Sequence, residues 1–135
     1  MPLSVKMFGV VVTVVSAVIL IFACTANAQV IEGDGGPNTL VGTDNADKIY
    51  GYGGNDVIRG KGGADIQEGG SGLDEIYCGD GFDEAYGNGD GDTIDCSNAD
   101  GKADYIDCGS GSGDLAVWHV PGTVVASNCE NVIHQ

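Results

Sequence analysis

Aspartates recur at a fixed interval of nine residues through the middle of this 135-residue chain. Most are followed two positions later by an apolar residue, as in Asp56-Val57-Ile58. Carboxylates that recur at one phase of a short repeat can bind cations as an array, and their hard oxygens are the ligands that Ca²⁺ prefers. The candidate metal-binding carboxylates are Asp47, Asp56, Asp65, Asp74, Asp83 and Asp92.

These aspartates belong to contiguous nine-residue rows that run from Gly33 to Asp95. The first six residues of each row are rich in Gly, Asn and Asp, which suit tight turns. The last three predict a short strand whose middle side chain points inward, as in Lys48-Ile49-Tyr50. We therefore predict an all-β, right-handed parallel β-roll, a two-sheet solenoid with about two rows per coil.

Stacked coils would bring the aspartates of every second row into columns at a strand spacing of about 4.8 Å. Like charges at that distance oppose folding unless a cation lies between them. Carbonyl oxygens of the Gly-rich turns would complete an oxygen cage that suits Ca²⁺ better than Mg²⁺. We predict several Ca²⁺ ions as part of the fold. The alternative is a β-helix that needs no metal and leaves its carboxylates solvated.

Two rows, GYGGNDVIR from Gly51 and GGSGLDEIY from Gly69, resemble the RTX or haemolysin-type calcium-binding nonapeptide G-G-x-G-x-D-x-U-x. The resemblance implies a calcium-filled parallel β-roll in which the Asp of two stacked turns and backbone carbonyls hold each ion. Matched to this sequence, it implies carboxylate ligands from the six aspartates. The implied carbonyl ligands are those of Gly51, Gly53, Gly54, Gly69 and Gly72.

Some rows depart from the RTX pattern. Asn38 replaces Asp in the first row, while Asn45 and Asp90 stand where the pattern has Gly. Gln67 occupies an inward position with Ile66 beside it, which predicts either a shifted strand or a locally polar core. The sites that involve Asp65 are weaker predictions for this reason.

Four cysteines follow Cys24, namely Cys78, Cys96, Cys108 and Cys129. Cys78 and Cys96 both begin a row and lie two rows apart, so stacking would place them at a spacing that a disulfide accepts. This favours Cys78–Cys96 and leaves Cys108–Cys129, while Cys96–Cys108 stays open. Zinc is the rival interpretation, but the chain has no CxxC or HxxxH spacing.

Residues 1–28 have the composition of a secretory signal peptide. Lys6 precedes an apolar run from Met7 to Ala23, and Ala26-Asn27-Ala28 is a small-x-small cleavage pattern. We predict cleavage after Ala28 and a secreted, extracellular protein. A retained membrane anchor and lipoprotein processing at Cys24 are the alternatives.

The nine-residue period breaks after Asp95, at an insertion around Asn98, and Asp104-Tyr105-Ile106 restores the spacing. Residues 29–117 are therefore interpreted as the β-roll. Farther on, LAVWHV from Leu115, a Pro-Gly turn and TVVASN predict a β-hairpin. Residues 118–135 would form a C-terminal cap over the open end of the solenoid, with Trp118 as a core plug.

The formal net charge of −15 argues against nucleic acid and anionic lipid as partners. His119 and His134 have no neighbours at a catalytic spacing, so we expect no enzyme activity and no small-molecule substrate. We also expect a monomer.

The sequence favours a secreted calcium-binding protein whose β-roll folds on Ca²⁺. One alternative is a surface-binding or adhesion module on a metal-independent, disulfide-stapled solenoid, although its outward residues look mixed. They are Tyr50, Tyr77 and Tyr86 with Arg59 and Glu68. A small secreted enzyme with an Asp-lined groove is the other alternative.

Overall fold

The computed structural model describes residues 27–98 and 100–135, so the predicted signal peptide lies outside the described residues except for its last two. The described chain is all-β, with two parallel six-stranded sheets. The odd sheet contains β1 (Val30–Glu32), β3 (Lys48–Gly53), β5 (Ile66–Ser71), β7 (Glu84–Gly89), β9 (Tyr105–Asp107) and β11 (Val124–Val125). The even sheet contains β2 (Thr39–Val41), β4 (Val57–Arg59), β6 (Glu75–Tyr77), β8 (Thr93–Cys96), β10 (Leu115–Trp118) and β12 (Asn131–His134). Among these residues, no helix is long and apolar enough to cross a membrane.

The chain alternates between the two sheets, and each strand pairs in parallel with the strand two places later. Ile49 is in register with Gln67 in the odd sheet, and Ile58 with Ile76 in the even sheet. Each pair is two nine-residue rows apart, so one coil contains two rows. The solenoid has about six such turns, which confirms the predicted β-roll architecture.

A narrow core fills the space between the sheets. Its largest apolar members are fully buried isoleucines at the middle position of successive strands. They are Ile49, Ile58, Ile76, Ile94 and Ile106. Burying one such side chain stabilises the fold by about 1.5–3 kcal/mol. Because this narrow core contains few such side chains, contacts in the turns must also contribute to the stability of the stacked coils.

Gln67 takes an inward position without shifting its strand. Its side chain is fully buried, and β5 keeps the same register with β3 and β7 as the other coils. The amide nitrogen donates hydrogen bonds to the carbonyl oxygens of Cys78, at 3.0 Å, and Tyr77, at 3.3 Å, across the core. Of the two predicted outcomes, the structure therefore shows a locally polar core.

The insertion around Asn98 does not disturb the pairing of the strands that follow it. Ala85 and Ile106 are in register although the coil between them is longer than two rows. The same holds for Ile94 and Ala116 in the even sheet. Both sheets thus continue in parallel past the point where the sequence period breaks.

The predicted C-terminal β-hairpin is wrong. β10 pairs in parallel with β8 and β12, whereas β11 pairs in parallel with β9 in the opposite sheet. The Pro121-Gly122 turn is a corner between the sheets, because the chain crosses the solenoid there rather than reversing beside β10. Trp118 does pack against the core, whereas Val124 is 56% exposed. The end of the chain is built from further coils of the solenoid.

Two disulfides join neighbouring coils in the C-terminal half. Cys78 is bonded to Cys96 and Cys108 to Cys129, with Cα–Cα separations of 5.0 and 5.1 Å. These are the pairings that coil stacking favoured. All four sulfur-bearing side chains belong to the buried core. Cys78–Cys96 therefore reinforces the last regular coil, and Cys108–Cys129 reinforces the part of the solenoid in which the nine-residue period is lost.

Removing the first of these disulfides should weaken the fold without preventing it. Cys78 and Cys96 are 18 residues apart, and a loop of that size is worth about 3 kcal/mol in the chain-entropy estimate. We expect the double variant Cys78→Ser/Cys96→Ser to lose about that much unfolding free energy in urea titrations with Ca²⁺ present. An unchanged unfolding midpoint would contradict a stapling role for this bond.

Candidate metal centre

The predicted aspartates lie where each turn meets the following strand. Asp47 immediately precedes β3, Asp56 precedes β4, and the same position recurs in the later coils. Their side chains are 1% exposed although each carries a carboxylate. They point into the turn because a strand begins at the next residue, whose own side chain faces outward.

The buried aspartates form two continuous columns, one along each edge of the solenoid. We call them the even column, before the even strands, and the odd column, before the odd strands. The even column contains Asp56, Asp74, Asp92 and Asp114, with Asn38 at its start. The odd column contains Asp47, Asp65, Asp83 and Asp104.

A hydrogen bond links each member of a column to the next. The backbone N–H of Asp56 donates to Oδ1 of Asp74 at 2.8 Å, and the N–H of Asp74 donates to Oδ1 of Asp92 at 2.9 Å. In the odd column the N–H of Asp65 donates to Oδ1 of Asp83 at 2.9 Å. One oxygen of each carboxylate is therefore used to hold the preceding coil in register.

The second carboxylate oxygen has no such partner. Oδ2 is buried and accepts no hydrogen bond in six aspartates of the described chain. They are Asp56, Asp65, Asp74, Asp83, Asp92 and Asp104. An unpaired buried carboxylate oxygen is costly unless a cation or donor satisfies it. The columns therefore present unsatisfied anionic oxygens at regular intervals along the solenoid.

Burial is the main reason why five carboxyl groups of the columns have a raised pKa. It raises the pKa of Asp65, Asp74 and Asp104 to about 6, although a backbone hydrogen bond opposes the shift in each. Burial raises the pKa of Asp83 and Asp92 to about 7, and neighbouring carboxylates add to this effect. Without a cation, ionisation of these buried carboxyl groups at neutral pH therefore destabilises the fold.

Asp47 is the exception. Burial acts to raise its pKa, but hydrogen bonds to its carboxylate outweigh this effect and lower the pKa. Oδ1 accepts from the N–H of Gln29 at 2.7 Å, and Oδ2 accepts from the N–H and hydroxyl of Thr43 at 2.6 and 2.8 Å. Because both oxygens already have donors, Asp47 is a weaker candidate ligand than the other predicted aspartates.

The glycines at the row starts bring backbone oxygen to the same corner. A Cβ on Gly51 would collide with both Oδ2 of Asp56 and the carbonyl oxygen of Gly69. A Cβ on Gly69 would in turn collide with Oδ2 of Asp74. A carboxylate oxygen and a carbonyl of the next coil thus converge on a space that only glycine leaves open.

The other predicted glycine ligands lie in the stacked turns. Gly54 and Gly72 have φ values of 91° and 121°, in the left-handed region that favours glycine, and they stack on one another. Gly53 ends β3, where its N–H donates to the carbonyl of Asp34 at 3.1 Å. Their roles as carbonyl ligands remain predictions.

This donor set fits calcium. Carboxylate and carbonyl oxygens are hard ligands, they are supplied by two adjacent coils, and the unpaired charge is negative. Among residues 27–98 and 100–135, no group of three or more His, Cys, Asp and Glu side chains converges as a metal site. Any ion bound in a column must therefore rely on main-chain oxygens as well as on stacked carboxylates.

Two members of the columns were not among the predicted ligands. Asp104 and Asp114 extend them by one coil each, through hydrogen bonds from the N–H groups of Asp83 and Asp92 at 3.1 and 2.8 Å. The signal was present, because each is followed two positions later by a buried residue, Ile106 or Ala116. Because the rows after Asp95 are longer than nine residues, Asp104 and Asp114 do not lie at the regular interval from the earlier aspartates.

The histidines lie at the far end of the solenoid and outside the columns. The His134 ring packs on Trp118 with centroids 4.1 Å apart. Nδ1 of His119 lies 2.6 Å from the carbonyl oxygen of Gln135. These contacts tie the last strand to β10.

Substituting Gly51 should disrupt this corner selectively. We expect Gly51→Ala to lower the unfolding free energy of the calcium-saturated protein by about 1–3 kcal/mol, because its Cβ has no room. Gly35→Ala is the matched control, since a Cβ there meets nothing within 4 Å. Thermal unfolding of both variants measures the difference, and equal stability would contradict the close approach of carboxylate and carbonyl oxygens at this corner.

Comparison with known families agrees with this geometry. Residues 32–67 match the family model of the RTX calcium-binding nonapeptide repeat, in four copies. No curated protein and no solved structure matches the chain significantly. The matched segment covers two adjacent coils, and the columns continue beyond it to Asp104 and Asp114. Residues 32–67 thus match RTX calcium-binding nonapeptide repeats, and the parallel two-sheet solenoid fits an RTX-type β-roll.

Proposed function

We propose that this chain is a secreted calcium-binding protein whose β-roll folds when Ca²⁺ binds between stacked GGxGxD turns. The observation that carries the proposal is the pair of buried aspartate columns, in which Oδ2 of six aspartates has no hydrogen-bond partner. The proposal includes no catalytic step and no small-molecule substrate.

Electrostatics supports a folding role for the ion. Two carboxylates at the strand spacing of about 4.8 Å repel each other by about 3 kcal/mol at an effective dielectric constant of about 20. Each column contains three contacts between successive aspartates, so the repulsion accumulates along the stack. A divalent cation between the coils converts this repulsion into attraction. Asp residues of adjacent turns and the row-start carbonyls would hold it.

Calcium then acts as a folding ligand. An ion that binds only the folded state stabilises it by about 2.7 kcal/mol per site when its concentration is a hundred times the dissociation constant. In a compartment with little free calcium the coils would remain apart, and outside the cell they would stack. Binding energy becomes folding energy in this way.

Export is the second part of the proposal. The leader ends directly before β1, which starts at Val30, so cleavage after Ala28 would leave the first coil intact. The two disulfides are suited to an oxidising compartment. Expression of the full chain with its leader should yield an exported protein whose N-terminal residue is Gln29. Retention of residues 1–28 in the exported or membrane fraction would contradict this processing.

Native mass spectrometry of the purified, oxidised protein tests calcium binding. We expect uptake of several Ca²⁺ ions, up to one for each contact between successive aspartates in the columns. Mg²⁺ at the same concentration should not produce the same series, because it keeps its waters and demands an octahedral site. Absence of specific calcium adducts would support the metal-independent, disulfide-stapled solenoid instead.

A further inference from the structure

The outer face of the odd sheet carries a regular alternation of carboxylates and tyrosines. Strand register places Glu32 beside Tyr50, Tyr50 beside Glu68, Glu68 beside Tyr86, and Tyr86 beside Asp107. We call these five residues the tyrosine–carboxylate ladder. It was hidden in the sequence, because Arg59 and Tyr77, which made the outward residues look mixed, lie on the even sheet.

Neighbouring side chains hold the tyrosine rings in place. Tyr52 donates a hydrogen bond to Glu32 at 2.6 Å and stacks on Tyr50, with ring centroids 6.2 Å apart. The Tyr86 hydroxyl donates to Glu84 at 3.0 Å. The ladder is therefore a braced array of aromatic rings and carboxylates on one face of a rigid sheet.

On the even sheet, a similar pair of tyrosine and glutamate binds a cationic side chain. The Tyr77 hydroxyl donates to Glu75 at 3.2 Å, and the guanidinium of Arg59 lies 4.7 Å above the centre of the Tyr77 ring. Arg59 is the neighbour of Tyr77 in register. The Tyr77 ring, the Glu75 carboxylate two residues before it and the Arg59 guanidinium from the neighbouring strand β4 thus form one group of contacts.

The odd sheet repeats the ring and the carboxylate but lacks the cation. Glu84 and Tyr86 have the same spacing as Glu75 and Tyr77, yet the neighbour of Tyr86 that corresponds to Arg59 is Glu68. Lys48 is the single basic residue in the strands of this sheet, and it pairs with Val30 and Ile66 outside the ladder. This face therefore has surplus negative charge beside half-buried aromatic rings.

We propose that the tyrosine–carboxylate ladder binds a basic polypeptide segment of a partner protein, whose Arg or Lys side chains pack on Tyr50 and Tyr86. Glu68, which lies between the two tyrosines in register, would pair with the same cations. Asp107 contributes only its charge, because both of its carboxylate oxygens already accept hydrogen bonds. A cation on a tyrosine face is attracted by the ring quadrupole, and flanking carboxylates strengthen the contact. This surface is distinct from the calcium columns, which lie at the turns.

The spacing of the ladder indicates the form of the partner. Tyr50 and Tyr86 are two strands apart, or about 9.6 Å along the solenoid axis. In a polyproline II helix, side chains three residues apart repeat at about 9.3 Å. An extended segment with a basic residue at every third position would therefore place successive cations on successive tyrosines.

Fluorescence anisotropy with a labelled (Arg-Pro-Pro)4 peptide and the calcium-saturated full chain tests the proposal. Glu68→Gln/Tyr86→Leu should weaken binding by about five- to tenfold, since it removes one ring and one carboxylate. Glu75→Gln/Tyr77→Leu is the matched control on the even sheet, with the same changes in charge and residue type. It should weaken binding by less than about twofold.

Equal losses in the two double variants would overturn the proposal, because they would show only general attraction to an acidic protein. Lack of peptide binding by the unaltered protein would overturn it as well. Far-UV circular dichroism with Ca²⁺ verifies that each variant is folded. If the double variant does not fold, the single pair Glu68→Gln and Glu75→Gln makes the same comparison. A fold that does not depend on calcium would refute the proposed function without affecting this test.

Discussion

Replacing Asp74 by asparagine is expected to raise the calcium concentration at the folding midpoint by about tenfold or more. Asp74 stands in the middle of the even column, where it contacts Asp56 on one side and Asp92 on the other. The substitution removes a charged ligand from two successive sites. It keeps an amide oxygen that can accept the hydrogen bond from the N–H of Asp56.

The same substitution should increase the structure that remains without calcium. A neutral amide is cheaper to bury than an unpaired carboxylate, and the repulsion from Asp56 and Asp92 disappears. Opposite effects with and without the ion distinguish a metal ligand from a structural aspartate. A purely structural Asp74 would weaken the fold under both conditions.

Asp44→Asn is the control for this experiment. It makes the same change in charge at an exposed aspartate outside the columns. Its calcium midpoint, measured by circular dichroism alongside that of Asp74→Asn, should move by less than about twofold. Equal shifts in the two variants would attribute the effect to net charge and would contradict the assignment of Asp74 as a ligand.

Acidification should stabilise the calcium-free fold. Burial raises the pKa of Asp83 and Asp92 to about 7 and that of Asp65, Asp74 and Asp104 to about 6, from 3.8. Because these five groups bind protons more tightly in the folded state than in the unfolded state, their contribution to stability is greatest below pH 3.8, whereas Asp47 with its lowered pKa acts in the opposite direction. Stability is then lost as the pH rises through 6 to 7. Protein freed of calcium and desalted should therefore gain β signal between pH 8 and pH 5.

Calcium binding should show the opposite dependence on pH. The ion requires ionised carboxylates, so protons compete with it, and its affinity should fall as the pH decreases below about 7. Calcium titrations at three pH values between 5.5 and 7.5 measure the trend. Asp83→Asn should reduce the pH dependence, since it removes one of the most shifted groups. An affinity that stays constant over this range would contradict calcium binding by the buried columns.

Most of the fold could be predicted because the position of a residue in its nine-residue row determines its place in the turn or the strand. The position of Asp56 in its row determined its column, and the inward position of Ile58 determined its register with Ile76. Gln67 could not be resolved from sequence, because a buried glutamine is acceptable only if it finds partners. The carbonyls that satisfy its nitrogen belong to Tyr77, at the end of β6, and to Cys78 directly after it, whereas its buried Oε1 accepts no hydrogen bond.

The C-terminal region could not be predicted by the same reasoning. A strand, a Pro-Gly turn and a second strand have the same local pattern whether the chain reverses or crosses to the other sheet. The choice depends on pairing with β8 and β9, which lie a full coil earlier in the chain. The longer coils also concealed that Asp104 and Asp114 continue the columns, although the spacing from Asp104 to Ile106 was recognised. Long-range parallel pairing, and not local propensity, decides this part of the structure.

Far-UV circular dichroism of the oxidised protein, treated with chelator and then titrated with Ca²⁺ or Mg²⁺ at neutral pH, shows whether the β-roll needs calcium to fold. We expect little β signal in chelator and a cooperative gain with Ca²⁺ that Mg²⁺ does not reproduce. A β signal that is complete in chelator and unchanged by Ca²⁺ would contradict this expectation. The columns would then be structural, and the solenoid would be held by its core and its two disulfides.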